Sequence, residues 1–403
     1  MVSRPLSRFG TLLSLLALGV FAGSASAAPS AKSQKGGAQK VAPQLSKKPL
    51  RAYMTRQAGQ PAESSEKLHT IPNQDKIHHG RKTNFPGPQD PVVQWKPGLT
   101  LPPDPAGVSV EGFPMNGSAP SDANGAVGPD FYVQWVNSVI SIFLKDGTYL
   151  GSLPGNALWS GFGGPCETHN DGDPIAQYDI LADRWVLSQF VVFAPDGSHQ
   201  CFAVSQTGDL LGNYYLYDFH TGGPDLFEDY PHIGVWPDAY YMTTHEFNPS
   251  YDGQGLFAFD RQSMLQGLPA TFQAKTGTTN LSHAAGNPYL GGALPADLDG
   301  LTPPPDGAPE LIFAPGSWEL DGTPNPVLHV WKASTTWGGT PTFTVTQLDD
   351  LPVAPFDAEV CRYFTRNCVP QPKPAKLHLD KLDAISDRLM WRVAYRNFDD
   401  HQS

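Results

Sequence analysis

Charge is scarce in this chain: 16% of its 403 residues are Asp, Glu, Lys or Arg, and the formal balance is −12. Nucleic acid and anionic membrane surfaces are engaged through basic patches, so neither is an expected partner. Cysteine is rarer still, with 4 residues and no Cys-x-x-Cys spacing, which argues against a thiolate zinc site. Beyond the first residues no stretch approaches the ~20 consecutive apolar residues of a membrane helix, so no membrane insertion is expected. Helical periodicity is almost missing as well. Gly and Pro are abundant instead, at 40 residues each, and together these features indicate many short strands joined by long turns, an all-β composition.

The chain opens with Arg4 and Arg8, the apolar run from Leu12 to Phe21, and a small-residue stretch ending near Ala27. That layout predicts a signal peptide over 1–28, and hence a secreted or periplasmic protein. No Cys stands at the cleavage region to take a lipid. In an oxidising compartment an even cysteine count implies disulfides, and Cys166–Cys201 with Cys361–Cys368 is the preferred of three pairings. Residues 29–110 read as a lead-in: a Lys/Arg-bearing, acid-free, low-complexity tether to about residue 60, expected to be disordered, then a Pro-rich extended stretch.

Within 111–403 one pattern recurs. Pro129-Asp130-Phe131-Tyr132-Val133-Gln134, Ala182-Asp183-Arg184-Trp185-Val186-Leu187 and Pro237-Asp238-Ala239-Tyr240-Tyr241-Met242 are each an acid-bearing turn followed by an aromatic-rich strand. Their spacing, about 53 and 55 residues, is a period of radial β-repeats. A β-propeller-like domain of about 5–7 blades is predicted. Blades begin near Asp122, Ala176, Ile233 and Glu310, and a fifth runs from Leu377 to Tyr395 through another such turn at Asp387-Arg388. The chain then stops inside what should be a blade, so a truncated or incomplete ring is expected.

The runs Asp171-Gly-Asp-Pro-Ile-Ala-Gln-Tyr-Asp-Ile-Leu-Ala-Asp-Arg-Trp-Val-Leu-Ser-Gln-Phe, Tyr230-Pro-His-Ile-Gly-Val-Trp-Pro-Asp-Ala-Tyr-Tyr-Met-Thr and Pro295-Ala-Asp-Leu-Asp-Gly resemble a group of secreted bacterial proteins with propeller-like repeats. The resemblance covers roughly residues 115–403 and implies a fold more than an activity.

A polar stretch precedes or accompanies each repeat: Asp122-Ala-Asn124, Asp171-Gly-Asp173, Asp229-Tyr-Pro-His232, Asp297-Leu-Asp299 and Lys376-Leu-His378. In a propeller the innermost strand opens each blade, so these groups are expected to converge on one end of the central channel, a concave polar site. The candidate ligand-binding residues are therefore Asp122, Asn124, Asp171, Asp173, Asp229, His232, Asp299 and His378. Against that stands ordinary turn chemistry, since Asp and Asn cap tight turns. Candidate catalytic residues are Asp122, Asp173, Asp229 and His232, as a carboxylate pair with a nearby imidazole for glycoside hydrolysis or lysis.

Calcium is disfavoured. Asp122, Asn124 and Asp130, and likewise Asp171, Asp173 and Asp179, match ligand positions one, three and nine of a calcium loop, but position five is filled by Ala126 or Ile175. Asp297 and Asp299 are the weak metal candidates, with Leu301 in the next ligand position. No resident cofactor is expected. The Gly-x-Ser-x-Gly elbow, the sialidase aspartate box and the nucleotide-binding glycine motifs are all missing. The recurring Trp135, Trp185, Trp236 and Trp391 are expected to pack between blades, while Trp159, Tyr214, Tyr215 and Tyr217 are candidates for a saccharide platform. The resulting expectation is an exported binding module for a carbohydrate or another polymer, with a glycoside hydrolase or lyase, or a purely structural protein, as alternatives.

Overall fold

The acid-bearing turns at Asp130, Asp183 and Asp238 each start a strand whose neighbours in sequence are also its neighbours in space. A computed structural model of the chain describes residues 40–55, 108–114, 118, 120–356, 358, 367–369, 382–383, 385 and 388–399. After a short β1 (Gln44–Leu45), four antiparallel meanders follow in chain order. The first comprises β2 (Asn124–Val127), β3 (Phe131–Val136), β4 (Val139–Leu144) and β5 (Tyr149–Pro154). The second holds β6 (Ile175–Asp179), β7 (Arg184–Ala194), β8 (Gly197–Ser205) and β9 (Tyr214–Gly222). The third holds β10 (Phe227–Val235), β11 (Tyr240–Phe247), β12 (Tyr251–Phe259) and β13 (Phe272–Lys275). The fourth holds β14 (Leu294–Leu298), β15 (Glu310–Gly316), β16 (Val327–Thr336) and β17 (Thr342–Gln347), with β18 (Leu351–Pro352) also paired to β16. Two small strands, β19 (Asn367–Val369) and β20 (Leu382–Asp383), pair with each other, and β21 (Val393–Tyr395) joins the fourth sheet. The chain is thus all-β, and every large sheet has the up-and-down order of a propeller blade.

The sheets pack face to face. Every residue of β8 and of β11 is buried, so the alternation of a one-sided sheet is lost because both faces are covered. Phe202 and Phe219 of the second sheet meet Phe259 of the third at 4.7 and 5.0 Å between ring centroids, and Tyr241 of the third meets Phe343 of the fourth at 6.3 Å. Trp135, Trp185 and Trp236 are buried in these layers, as their recurrence suggests. Trp159, Tyr214 and Tyr217 are buried too, which removes them as a saccharide platform and leaves only Tyr215 half-buried.

The four opening strands, β2, β6, β10 and β14, are bound to one another by side chains. Asn124 accepts from the backbone N–H of Ala176 at 2.9 Å. Gln177 donates to the Ile233 carbonyl at 2.6 Å and to Asp297 at 3.1 Å, and the N–H of Val235 donates to Asp297 at 3.0 Å. Gly234 permits the closest approach: a Cβ there would stand 2.1 Å from the carbonyl oxygen of Ala296. At the far ends of β6 and β10, Arg261 forms a buried two-pronged pair with Asp179, at 2.7 and 2.9 Å.

Two expectations are corrected. Residues 40–55, assigned to a disordered tether, lie along the outer edges of the sheets: β1 pairs with β9, Val41 bridges Ala270, and Thr55 bridges Ser152. Leu50 is the cause, since it is fully buried among Leu158, Trp159 and Leu210, and a single anchored leucine with an available strand edge outweighs a solvent-favouring composition. The second concerns the fifth blade. Residues 393–395 do not follow a repeat turn into a middle strand; β21 lies parallel to β14, on its inner edge. Arg392 and Arg396 hold it there through Asp297 and Asp299, at 2.8 and 2.6 Å.

Cys166 and Cys201 form a disulfide closing a loop with a sequence separation of 35. The Cys361–Cys368 pairing and the signal region lie outside the residues whose side chains are described. Among the described residues no helix is long and apolar enough to cross a membrane.

Candidate functional site: an acid cluster where the inner strands begin

A common backbone feature marks the start of the four inner strands. Asn124, Ile175 and Leu294 are the first residues paired to the second strand of their sheets, and His232 is the first paired beyond the bulge that interrupts β10 after Asp229. Two positions earlier stand Asp122, Asp173, Tyr230 and Gly292, with φ of 40°, 41°, 56° and 67°. Glycine adopts this left-handed conformation freely and aspartate tolerates it; for a tyrosine it is strained. The same left-handed backbone step thus recurs ahead of each of these four positions.

Asp122, Asp173 and Asp229 come together at this end. The carboxyls of Asp122 and Asp173 act directly on one another, and the Asp229 charge acts on both. Burial pushes the Asp173 carboxyl well above the ordinary range, the charges of Asp122 and Asp229 push it further, and the Tyr230 N–H at 3.2 Å pulls it back only in part. Burial also raises Asp122, against the amide of Asn137 that donates to it at 2.7 Å. Like charges brought together and buried oppose one another's ionisation, so the carboxyls of Asp122 and Asp173 are both raised and their titrations are linked. Asn137 is a member that sequence reading missed; it lies in the β3–β4 turn, and only the strand register brings it back over Asp122.

The adjoining wall is aromatic. His232 packs on Tyr230 at 4.1 Å between ring centroids, and Trp391 approaches His232 at 5.2 Å. The Arg388 guanidinium lies over the Tyr230 ring at 4.7 Å, and the Tyr230 hydroxyl donates to the Leu389 carbonyl at 3.2 Å. Burial, with Arg388 adding, lowers His232 to about 4, so its imidazole is neutral and cannot serve as a cationic acid. The segment 388–391 therefore walls the acid cluster, a role invisible in the sequence because Arg388 and Trp391 sit in a copy of the repeat turn.

Other sequence candidates do other things. Asn124 links β2 to β6. Asp171 turns away and accepts from the N–H groups of Val192 and Phe193, at 2.9 and 3.2 Å, capping the irregular part of β7. Asp297 and Asp299 stand at the opposite end of the inner strands, since β14 enters the hub at Gly292 and the Asp-Leu-Asp run closes it. There Asp299 pairs with Arg396 at 2.6 Å, and burial lifts Asp297 to about 6, with Arg392 opposing. Of the residues that match calcium-loop positions, Asn124 is committed to β6 and Asp179 to Arg261. Among the histidines, His245 is buried and accepts from the Gly292 N–H at 3.0 Å, and exposed His283 pairs with Asp252 at 3.0 Å. His378 lies outside the described residues.

No family model matches the chain, and no curated protein matches it. Among solved structures it is similar to the subtype N11 neuraminidase-like protein of A/flat-faced bat/Peru/033/2010 (H18N11). The two are 10% identical, the match covers 55% of this chain and 71% of the other, and the TM-score is 0.26, a level that says nothing about shared activity or fold.

Proposed function

We propose that this protein is an exported binding module that holds an extracytoplasmic ligand, a carbohydrate or another hydroxyl-rich polymer, where Asp122, Asp173 and Asp229 meet. The four meanders are the consecutive blades of a propeller-like ring, the fold that the resemblance to secreted propeller-repeat proteins implies, and the acids sit at its channel mouth. The observation that carries the reading is the meeting of the buried Asp122 and Asp173 carboxyls, the second raised well above its ordinary range, beside the Tyr230, His232 and Trp391 wall. A carboxyl that donates and a carboxylate that accepts recognise hydroxyl groups in both senses, and aromatic faces stack on sugar rings. The disulfide and the signal-like start of the chain support export.

Hydrolysis is the second reading, favoured by a protonated acid next to an ionised one. A carboxyl pair in direct interaction, however, leaves little room for the water that an inverting glycosidase places between its acid and its base. Asp122 and Asp173 therefore fit a binding pair better than a catalytic pair. The test is retention on insoluble peptidoglycan and on a glycan array, with Asp173→Ala and Asp229→Ala as variants. Retention lost in both variants without turnover supports the module. Product release from chromogenic glycosides, abolished by either substitution, favours the hydrolase, and blank arrays and pulldowns defeat the binding reading.

A further inference from the structure

The hairpin that joins β7 to β8 carries a second cluster, unrelated to the acid cluster. Asp196 lies in the turn, His199 on β8, and His220 on β9, directly opposite His199 in the antiparallel register. One ligating atom from each lies within 4.8 Å of the other two, and the imidazoles stack at 4.8 Å between centroids. Two further contacts fix the rings. His199 Nδ1 donates to Asp218 at 2.6 Å, and His220 Nε2 lies 2.9 Å from the backbone carbonyl of Asp196.

His199 is 5% exposed, yet its Nε2 has no hydrogen-bond partner; the nearest acid oxygen, on Asp196, is 3.3 Å away. A buried imidazole whose Nδ1–H is pinned by a carboxylate, with its other nitrogen turned toward a second imidazole and a second carboxylate, is the arrangement by which proteins orient a metal-bound histidine. We propose that Asp196, His199 and His220 bind a divalent transition-metal ion of the zinc type, with Asp218 as the positioning residue behind His199.

The donor set selects the metal. Two imidazoles and one carboxylate suit zinc, whereas calcium takes six to eight oxygens. Tetrahedral bonds of about 2.0–2.1 Å place donors about 3.4 Å apart, so the cluster must tighten somewhat. The Asp196 side chain is 59% exposed and free to make that movement, while the two histidines are held by paired strands. Three protein ligands leave a fourth position for water or for an oxygen of a bound molecule.

The test uses the full-length oxidised protein, freed of metal and titrated with zinc, then with cobalt(II), whose visible absorption reports four-coordination. One equivalent of zinc, an intense cobalt spectrum, and loss of both in His199→Ala and His220→Ala are expected. Asp218→Asn should keep the stoichiometry but weaken affinity roughly 10- to 100-fold, an effect on metal affinity that a purely structural Asp218 would not produce. Asp173→Asn should bind zinc as the wild type does, which keeps this site separate from the acid cluster. Binding that survives in a folded His199→Ala/His220→Ala protein, verified by circular dichroism, or no binding by the wild type, would overturn the assignment.

Discussion

Removing the Asp179 carboxylate is the sharpest perturbation of the hub. Asp179 is wholly buried at the end of β6, where it accepts from Arg261 at 2.7 and 2.9 Å, from the Tyr240 hydroxyl at 3.0 Å and from the Ala182 N–H at 3.1 Å. Arg261 is 4% exposed and without Asp179 keeps only weaker contacts, a hydrogen bond to the Pro237 carbonyl at 3.3 Å and the face of the Tyr240 ring at 5.9 Å. Asp179→Ala thus strands a guanidinium and a phenol in the interior, and breaking such a pair costs about 3–5 kcal/mol. Arg261→Met should cost a similar amount by stranding the carboxylate. The double variant Asp179→Leu/Arg261→Met should recover most of that loss, because both desolvated charges are gone. The assay is guanidinium unfolding with the disulfide intact, followed by fluorescence and far-ultraviolet circular dichroism, whose transitions must coincide for the energies to be read. An Asp179→Ala protein that loses less than about 1 kcal/mol would mean that the pair is solvated, and the packing of the second sheet on the third would have to be redrawn.

Further predictions follow from burial and charge. Burial raises the carboxyls of Glu228 to about 8 and of Glu246 to about 7. An acid raised on folding stabilises fully below its ordinary value and loses that contribution as pH rises through the folded one. Thermal stability should therefore fall by several degrees between about pH 5 and pH 9, whereas a flat or rising profile would refute these burials. Neutral His232, lowered to about 4, opposes this only from about pH 6.5 downward, which limits the gain on acidification. Cys166→Ala/Cys201→Ala should cost about 4 kcal/mol by loop entropy, measured by the same unfolding assay. Leu50→Ala should cost about 2–5 kcal/mol, and deletion of 40–55 should cost at least as much; a neutral deletion would show that the segment does not dock. Gly234→Ala should lower the melting temperature sharply because β10 and β14 would have to separate.

Much of the fold is legible in the turns. The acids Asp183 and Asp238 each accept from a nearby tyrosine hydroxyl, that of Tyr178 and, at 2.9 Å, that of Tyr241, and Asp238 also accepts from the Thr335 N–H at 3.0 Å. That local role repeats with the sheets, so its period exposes the architecture. The meeting of Asp122, Asp173 and Asp229 is legible for the same reason, because each lies at or one residue from the same step before an inner strand.

What could not be read is set by long-range register. The fourth repeat keeps the left-handed step with a glycine, so Asp297-Leu-Asp299 resembles the other polar stretches while standing at the opposite end of its strand. The turn at Asp387-Arg388 copies the repeat in sequence, yet the arginines that follow find Asp297 and Asp299 and carry the chain along β14. His199 and His220 are separated in sequence and share no motif; only the pairing of β8 with β9 sets them opposite each other.

The raised carboxyl of Asp173, at the start of its strand, is the feature on which ligand binding depends most. Carbon-13 NMR of the protein labelled selectively at aspartate carboxyls, titrated with acid and base, measures it directly. One carboxyl that stays protonated through neutral pH, disappears in Asp173→Asn and moves when a retained polymer is added is the predicted result. Asp122, Asp173 and Asp229 all ionising in the ordinary carboxylate range, independently of one another, would contradict it.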